Sequence, residues 1–569
     1  MKPHRSLSPL LRGAPAATLA LMLGPVLAGL LGTALPAFGW LPALGGTRFG
    51  LDAWRALWAT PGLWTSVRLS LTTGFATTAA SLAVTLLFCA AWHGTPVFAR
   101  MQRLLSPLLA LPHVALAFGF AFLLAPSGWI VRLLSPWATG FARPPDVATV
   151  PDPWGLALAA GLLLKEVPFL LLMTLAALGQ TDAERTRNLA RTLGYGPIAA
   201  WAKAVLPRLY PQLRLPVLAV LAYALSVVDV ALVLGPTTPP PLAVRLFRWF
   251  NDPDLSLRFA ASAGAMLQLA LVGGAILAWL ALERLIAAAG RLWVRSGRRW
   301  RRDRWLRGLA ALLTALVVAA AFAGIAGMAV WSLAGAWRFP DALPAGWTLD
   351  NWRLHGAAAG AAAGTTVLLG LAAAGLALLL ALLCLEQEAR FGRRPTARAL
   401  WLLYLPLLAP QIAFLFGLQT LLVAAGLDGS WPALVWCHLA FVLPYAFLSL
   451  ADPYRAWDER YGRTALCLGA SPDRVLLAVK LPMLLRPLLT AAAVGFAVSV
   501  GLYLPTLFAG GGRFATLTTE AVALSAGGDR RVIGVYALLQ TALPWLGFLL
   551  ALALPGWVFR DRRALQVAV

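Results

Sequence analysis

Apolar and polar positions alternate along this chain on the scale of whole helices. Long apolar runs fall at 15–40, 65–91, 104–126, 154–178, 216–235, 259–282, 308–334, 361–384, 400–424, 433–451, 488–509 and 532–556. A helix needs ~20 mostly apolar residues to cross the hydrocarbon core of a bilayer. The pattern predicts an all-α integral membrane protein of about twelve transmembrane helices. Gly and Pro interrupt two of the runs, 216–235 and 488–509, which predicts the least regular spans there. The first run is too long for the core of a signal peptide and eleven others follow it, so it reads as the first helix.

Composition agrees: of 569 residues, 60% are hydrophobic and 12% charged. A water-soluble fold cannot hide that much apolar surface. The net charge of +24 would admit a nucleic-acid partner, but its distribution argues against one. Of the 47 Lys and Arg, 33 lie in the termini and in every second loop, 12 lie in the opposite loops, and Arg68 and Lys165 lie within runs. This bias toward one side predicts that both termini are cytoplasmic. The basic run Arg291 to Arg307 reads as an anchor beside lipid headgroups. Cys89, Cys384, Cys437 and Cys467 form no CxxC pair, and neither a disulfide framework nor a metal site is predicted. Trp54, Trp64, Trp337, Trp347, Trp352 and Trp431 read as interfacial anchors on the outer side.

The chain also repeats itself. LDAWR from Leu51 matches LDNWR from Leu349 at an offset of 298, as PHVALAFG from Pro112 matches PQIAFLFG from Pro410. Farther on the offset is 275, which places a 23-residue insertion in the outer loop around Pro136 to Trp154. Six runs per copy predict two six-helix repeats of parallel topology, 1–290 and 308–569, joined by a basic cytoplasmic linker at 291–307. Duplicated halves of this kind face each other across a substrate path.

The polar segments 181–215 and 452–487 carry the strongest local signal. From Glu184 to Pro207 against Glu459 to Pro482, eight of 24 positions are identical. They are Glu184/Glu459, Arg185/Arg460, Ala190/Ala465, Leu193/Leu468, Gly194/Gly469, Pro197/Pro472, Leu206/Leu481 and Pro207/Pro482. Each copy predicts a helix ended by Gly194 or Gly469 at positive φ. Pro197 or Pro472 then opens a second helix, which runs to Leu206-Pro207 or Leu481-Pro482. Ser471 is the natural N-cap of that helix in the second copy, and Gly196 is its weaker counterpart in the first. Two matched hairpins predict two docking surfaces for a two-fold partner.

These segments resemble the EAA loop of the permeases of binding-protein-dependent ABC importers, in which Glu-Ala-Ala is followed by Gly and then Leu-Pro. The first copy reads Asn188-Leu189-Ala190, Gly194, Leu206-Pro207; the second reads Arg463-Thr464-Ala465, Gly469, Leu481-Pro482. The family's glutamate is absent from both, and Glu184 and Glu459 stand one helical turn earlier. The whole chain resembles fused two-unit permeases of the thiamine and ferric-iron type. The resemblance implies a bacterial inner-membrane location, a cytoplasmic ABC ATPase in two copies docked on the two loops, and a periplasmic substrate-binding protein. It implies no cofactor on this chain, since ATP is bound by the partner. Consistently, the sequence has no G-x-x-x-x-G-K-[ST] phosphate loop.

Ionisable residues inside spans mark candidate path residues. Lys165 and Glu166 are neighbours on one helix, point about 100° apart and are expected to meet different partners. Glu166, Asp229 and Tyr503 are the candidate translocation-path residues, and an acid opposite an aromatic favours a cationic or metal-bearing substrate. Asp229 is equally readable as a structural contact between helices, and His438 as a hydrogen-bonded interior residue. A twelve-span secondary transporter driven by an ion gradient stays open as an alternative. DERYGR, Asp458 to Arg463, echoes a loop of that superfamily, but at a different place in the half. A membrane-embedded enzyme finds no support in any cluster of catalytic residue types.

Overall fold

A computed structural model describes residues 8–392 and 397–560; the two chain ends assigned to the cytoplasm by charge lie outside them. Among the described residues, ten helices are long and apolar enough to cross a membrane, and two bent pairs raise the number to twelve when each is taken as one span. The principal helices of the first six are α1 (Ser8–Ala37), α2 (Leu63–Trp92), α3 (His113–Leu124, whose span runs on to Leu134), α4 (Leu156–Gly179), α5 (Leu206–Ser226, whose span begins at Pro197) and α6 (Leu257–Arg295). The next six are α7 (Arg304–Leu333), α8 (Asp350–Phe391), α9 (Gln411–Ala424), α10 (Trp431–Arg455), α11 (Leu485–Gly501) and α12 (Arg530–Val558). The only sheet among the described residues is the two-stranded ribbon of Trp40–Leu41 and Gly46–Thr47.

The two interrupted runs are broken, as their Gly and Pro content foretells, but at a more informative place. The helix of the fifth run stops at Ser226 and restarts as Asp229–Leu234; that of the eleventh stops at Gly501 and restarts as Leu504–Gly510. Both breaks fall at the 275-residue offset. Asp229 and Tyr503 therefore do not sit within continuous spans. Asp229 opens the restarted helix and Tyr503 lies in the break itself. A break inside a bilayer strands backbone carbonyls, which must find other donors. Gln268 Nε2 on α6 donates to the carbonyl of Leu225 at 3.0 Å. The equivalent carbonyl of Val500 accepts from Thr518 Oγ1 at 2.5 Å, and Gln540 Nε2 on α12 donates to that hydroxyl at 2.6 Å. Each restarted segment is followed by a further short helix, Leu242–Phe250 or Leu517–Ser525. Its first N–H donates to a hydroxyl of a neighbouring span, Ser70 Oγ or Thr366 Oγ1, at 3.0 Å in both cases.

The halves are interlaced. α1 lies along α9 of the second half, and α7 lies along α3 of the first. Glycines make both crossings possible. A Cβ on Gly119 would come within 2.8 Å of the Gly324 backbone, and one on Gly417 would overlap the Gly29 carbonyl and the Gly32 backbone. At the second crossing Thr33 Oγ1 accepts from the Gly417 N–H at 3.0 Å. Small residues that let backbones touch are the usual means of helix association where lipid removes the hydrophobic drive.

Candidate functional site

Both polar segments fold as helical hairpins. The first helices are Ala183–Thr192 and Glu459–Cys467. Gly194 and Gly469 follow at φ +83° and +86°. The N–H of Tyr195 reaches the carbonyl of Ala190 at 3.3 Å, and that of Ala470 reaches Ala465 at 3.0 Å. This is the six-to-one closure of a glycine-terminated helix, and Ala190 and Ala465 supply its acceptors. Pro197 and Pro472 then open the second helices at the first helical position.

The second helix of the first copy does not end at Leu-Pro, contrary to the expectation from sequence, whereas that of the second copy ends at Met483, one residue past Pro482. Each passes through one π turn, Trp201–Val205 or Leu476–Lys480. The N–H groups of Leu206 and Leu481 bond the carbonyls of Trp201 and Leu476, five residues back. Pro207 and Pro482 offer no N–H for the normal four-residue register, and the wider turn absorbs the mismatch. The first copy stays one continuous span, whereas the second bends by 75° before α11.

The two hairpins are held in place by different means. Beside the first, Arg187 Nη1 donates to the carbonyl of His93 at 2.6 Å. The inter-half linker lies against it as well. α6 extends to Arg295 and α7 begins at Arg304, so the non-helical linker is only 296–303. The expected headgroup anchor is thus partly folded onto protein. Gly196 N–H donates to the Arg299 carbonyl at 2.9 Å, and Lys203 Nζ donates to the carbonyls of Trp293 and Arg298 at 3.1 and 2.9 Å. Gly196 has no side chain to cap the helix it precedes, and buried Asp303 does so from the linker. Its Oδ2 accepts from the Ile198 N–H at 3.0 Å.

The second hairpin caps itself. Ser471 Oγ accepts from the Arg474 N–H at 3.3 Å, and Asp458 Oδ1 from the Arg460 N–H at 3.0 Å. The neighbouring arginine holds the Asp458 carboxyl below its ordinary value. A buried ionic network ties this hairpin to the end of α8. Glu386 accepts from Arg390 at 2.6 Å, from Lys480 at 3.1 Å and from the Tyr454 hydroxyl. Arg390 also reaches Asp473 at 2.6 Å, and Arg455 forms a two-bond pair with Glu388 at 3.0 and 2.9 Å. Glu386, Glu388, Arg390 and Lys480 were not singled out from sequence. The only signal was LEQEAR closing an apolar span, where acids and a base recur at helical spacing.

On the outer surface of the first hairpin, Thr181, Asp182, Glu184, Arg185 and Asn188 line an open cleft of about 580 Å³. Glu184 and Asn188, the acid one turn early and the residue in the glutamate position, therefore share one wall. Glu184 pairs with Arg187 at 3.8 Å. Glu459 is exposed at the start of its helix.

The interior candidates converge between the halves. Lys165 and Glu166 take separate partners. The Lys165 ammonium donates to the carbonyls of Leu108, Leu109 and Leu111 at 3.3, 2.5 and 2.7 Å, where the chain turns into α3. Buried Glu166 meets His113 Nε2 at 3.3 Å, and the His113 ring lies 4.7 Å from that of Tyr223. Asp229 interacts electrostatically with His113, Tyr223 and Tyr503. Phe247 packs on Tyr503 at 5.9 Å. His113 and Tyr223 belong to this cluster but escaped the sequence reading, because each is a lone polar residue in an apolar run. His438 stands apart, with Nδ1 2.8 Å from Ser499 Oγ and Nε2 2.9 Å from Thr506 Oγ1. Both ring nitrogens are thus occupied by structural partners.

No family model matches the chain. Individual relatives do. The inner membrane ABC transporter permease protein YnjC of Escherichia coli is 35% identical over 522 residues, 91% of this chain and 93% of that protein. The putrescine transport system permease protein PotI of E. coli is 26% identical over 24% of this chain and 52% of its own length. The spermidine/putrescine transport system permease protein PotC of Haemophilus influenzae is 25% identical over 17% of this chain and 38% of its own. With a relative of that identity matched along nearly its whole length, and with helices enough to span a membrane ten to twelve times, this chain belongs to the ABC transporter permeases, which are transport subunits and not enzymes.

Proposed function

We propose that the chain is the transmembrane permease subunit of an importer, two permease repeats of parallel topology fused through 296–303, with both termini in the cytoplasm of a bacterial inner membrane. A separate cytoplasmic ABC ATPase, in two copies, docks on the hairpins through Glu184, Ala190, Gly194, Pro197, Leu206 and Pro207 and through Glu459, Ala465, Gly469, Pro472, Leu481 and Pro482. A periplasmic binding protein delivers the solute on the opposite face, and ATP is bound by the ATPase alone. The observation that carries this reading is the pair of glycine-ended hairpins at a 275-residue offset. They stand in a chain whose sequence has no phosphate loop of its own.

Glu166, Asp229 and Tyr503, with His113 and Tyr223, form the translocation path. Two carboxylates face it, and the nearby ammonium of Lys165 is engaged by three carbonyls. The path therefore favours a cation flanked by aromatic rings, of the thiamine-like or ferric-iron class. Putrescine and spermidine, the solutes named for two of the relatives, are cations as well.

Replacing Gly194 and Gly469 together with Pro forbids the positive φ that both hairpins need. The doubly substituted chain should reach the membrane but no longer co-purify with its ATPase. Retained assembly and ATP-driven uptake would remove the docking role. Uptake that survives deletion of the ATPase would favour the ion-driven alternative.

A further inference from the structure

The two hairpins match in backbone but not in what covers them. A Cβ on Gly194 would lie 3.1 Å from Arg301 Nη2 and 3.5 Å from Arg299 Nη1, whereas nothing stands within 4 Å of the same point on Gly469. Arg301 Nε also donates to the Gly194 carbonyl at 3.3 Å. The tip of the first hairpin is thus overlaid by two guanidinium groups, and the tip of the second is bare. The linker that supplies those groups is seated by its main chain. A Cβ on Gly196 would overlap the Trp300 carbonyl, so glycine at 196 and the seated linker require each other. Asp303 caps one helix of the hairpin and Arg301 the end of the other. The seat continues into the membrane, since Trp92 Nε1 at the end of α2 donates to the Arg307 carbonyl at 3.0 Å.

We propose that the inter-half linker is part of the first ATPase docking surface: Asp303 and Lys203 position it, and Arg299 and Arg301 present a cationic rim that takes a carboxylate-bearing ATPase surface. The second docking site needs no such rim. The two sites are then chemically distinct, and the first exists only when the second half is joined to it. This rests on the reading that the hairpins dock an ATPase.

The test uses the full chain with its ATPase. Thr192 and Cys467 occupy equivalent exposed positions at the 275 offset, so Thr192→Cys and the native Cys467 report cross-linking to the ATPase at each site separately. Asp303→Ala, and Arg299→Ala with Arg301→Ala, should each lower the cross-link at 192 roughly fivefold, the size of a lost cap or ion pair. The cross-link at 467 should be unchanged. Asp303→Asn keeps the accepting oxygen and should retain the wild-type cross-link. A second readout does not depend on docking. Trypsin should cut the wild-type linker slowly, and should cut it faster in Asp303→Ala and in Gly196→Ser, whose new side chain displaces the Trp300 carbonyl. An unchanged 192 cross-link in the variants, or equal losses at both sites, would overturn the proposal. A wild-type linker cut as fast as that of Asp303→Ala would overturn the seat. Absence of both cross-links in Thr192→Cys with no other change would overturn the docking reading itself, and the trypsin result would still decide the seat.

Discussion

Glu386 is the acid on which the second hairpin hangs. It accepts from Lys480, Arg390 and Tyr454 in a site closed to water. Removing one member of a buried ion pair strands the other, which costs about 3 kcal/mol or more, whereas removing both is far milder. Glu386→Ala should therefore lower thermal stability sharply, and Glu386→Ala with Lys480→Met should recover most of the loss, as read by melting in detergent. Lys165 makes a similar point in the interior. Its three carbonyl acceptors would be left without a donor by Lys165→Met, and a loss of about 2 kcal/mol is expected. Glu166→Gln and Asp229→Asn belong to a different class. Each keeps size and hydrogen bonding while removing charge, so assembly with the ATPase should persist and transport of a cationic solute should fall.

At the scale of elements, the crossings of α1 on α9 and of α7 on α3 depend on backbone contact through Gly417 and Gly119. Gly119→Ala and Gly417→Ala should each destabilise by about 1–3 kcal/mol, because a methyl group there meets main chain that cannot step aside. The first hairpin carries a pH dependence. Burial, reinforced by the Arg187 guanidinium and opposed by Glu184, holds the His93 imidazole below its ordinary 6.5. The folded state favours the neutral ring, so the anchoring of this hairpin is complete above that pH and is lost as pH falls below it toward the folded value. Hydrogen exchange in 183–192, corrected for intrinsic rates, should accelerate between pH 7.5 and 5.5, and His93→Gln should flatten the change.

Local rules made much of these elements readable from sequence. Gly194 and Gly469 end helices because positive φ suits no other residue as well, and both do so. The apolar runs became spans, and the two runs with Gly and Pro broke after Ser226 and Gly501, but the run at 400–424, expected to be regular, is also bent, by 90° between Leu408 and Gln411. The cap on Ile198 was not readable, because its acceptor lies 105 residues away in a segment that composition alone marks as a lipid anchor. The continuation of the hairpin through Pro207 was missed for a related reason. Proline signals a boundary, and only the π turn before it shows that the helix goes on. The interior cluster was half visible. Acids in apolar runs stand out, whereas His113 and Tyr223 acquire meaning only when separate spans bring them together.

For the whole molecule, interlacing has a mechanical consequence. Each half carries its first helix on the third span of the other, so a displacement of one hairpin is shared by both halves. Packed interfaces of this kind switch between discrete arrangements and do not deform smoothly. The proposed account is that ATP closure of the partner moves the two hairpins together and turns the cluster of Glu166, Asp229 and Tyr503 from one side of the membrane to the other. The most direct test is a distance. Spin labels on Thr192→Cys and the native Cys467, with Cys384→Ser to leave only buried thiols elsewhere, report the separation of the two hairpin tips by double electron–electron resonance. The account predicts that ATP shortens this distance when the ATPase is present and leaves it unchanged when the ATPase is omitted. A separation that ignores ATP in the full assembly, or that moves equally without the ATPase, would contradict it.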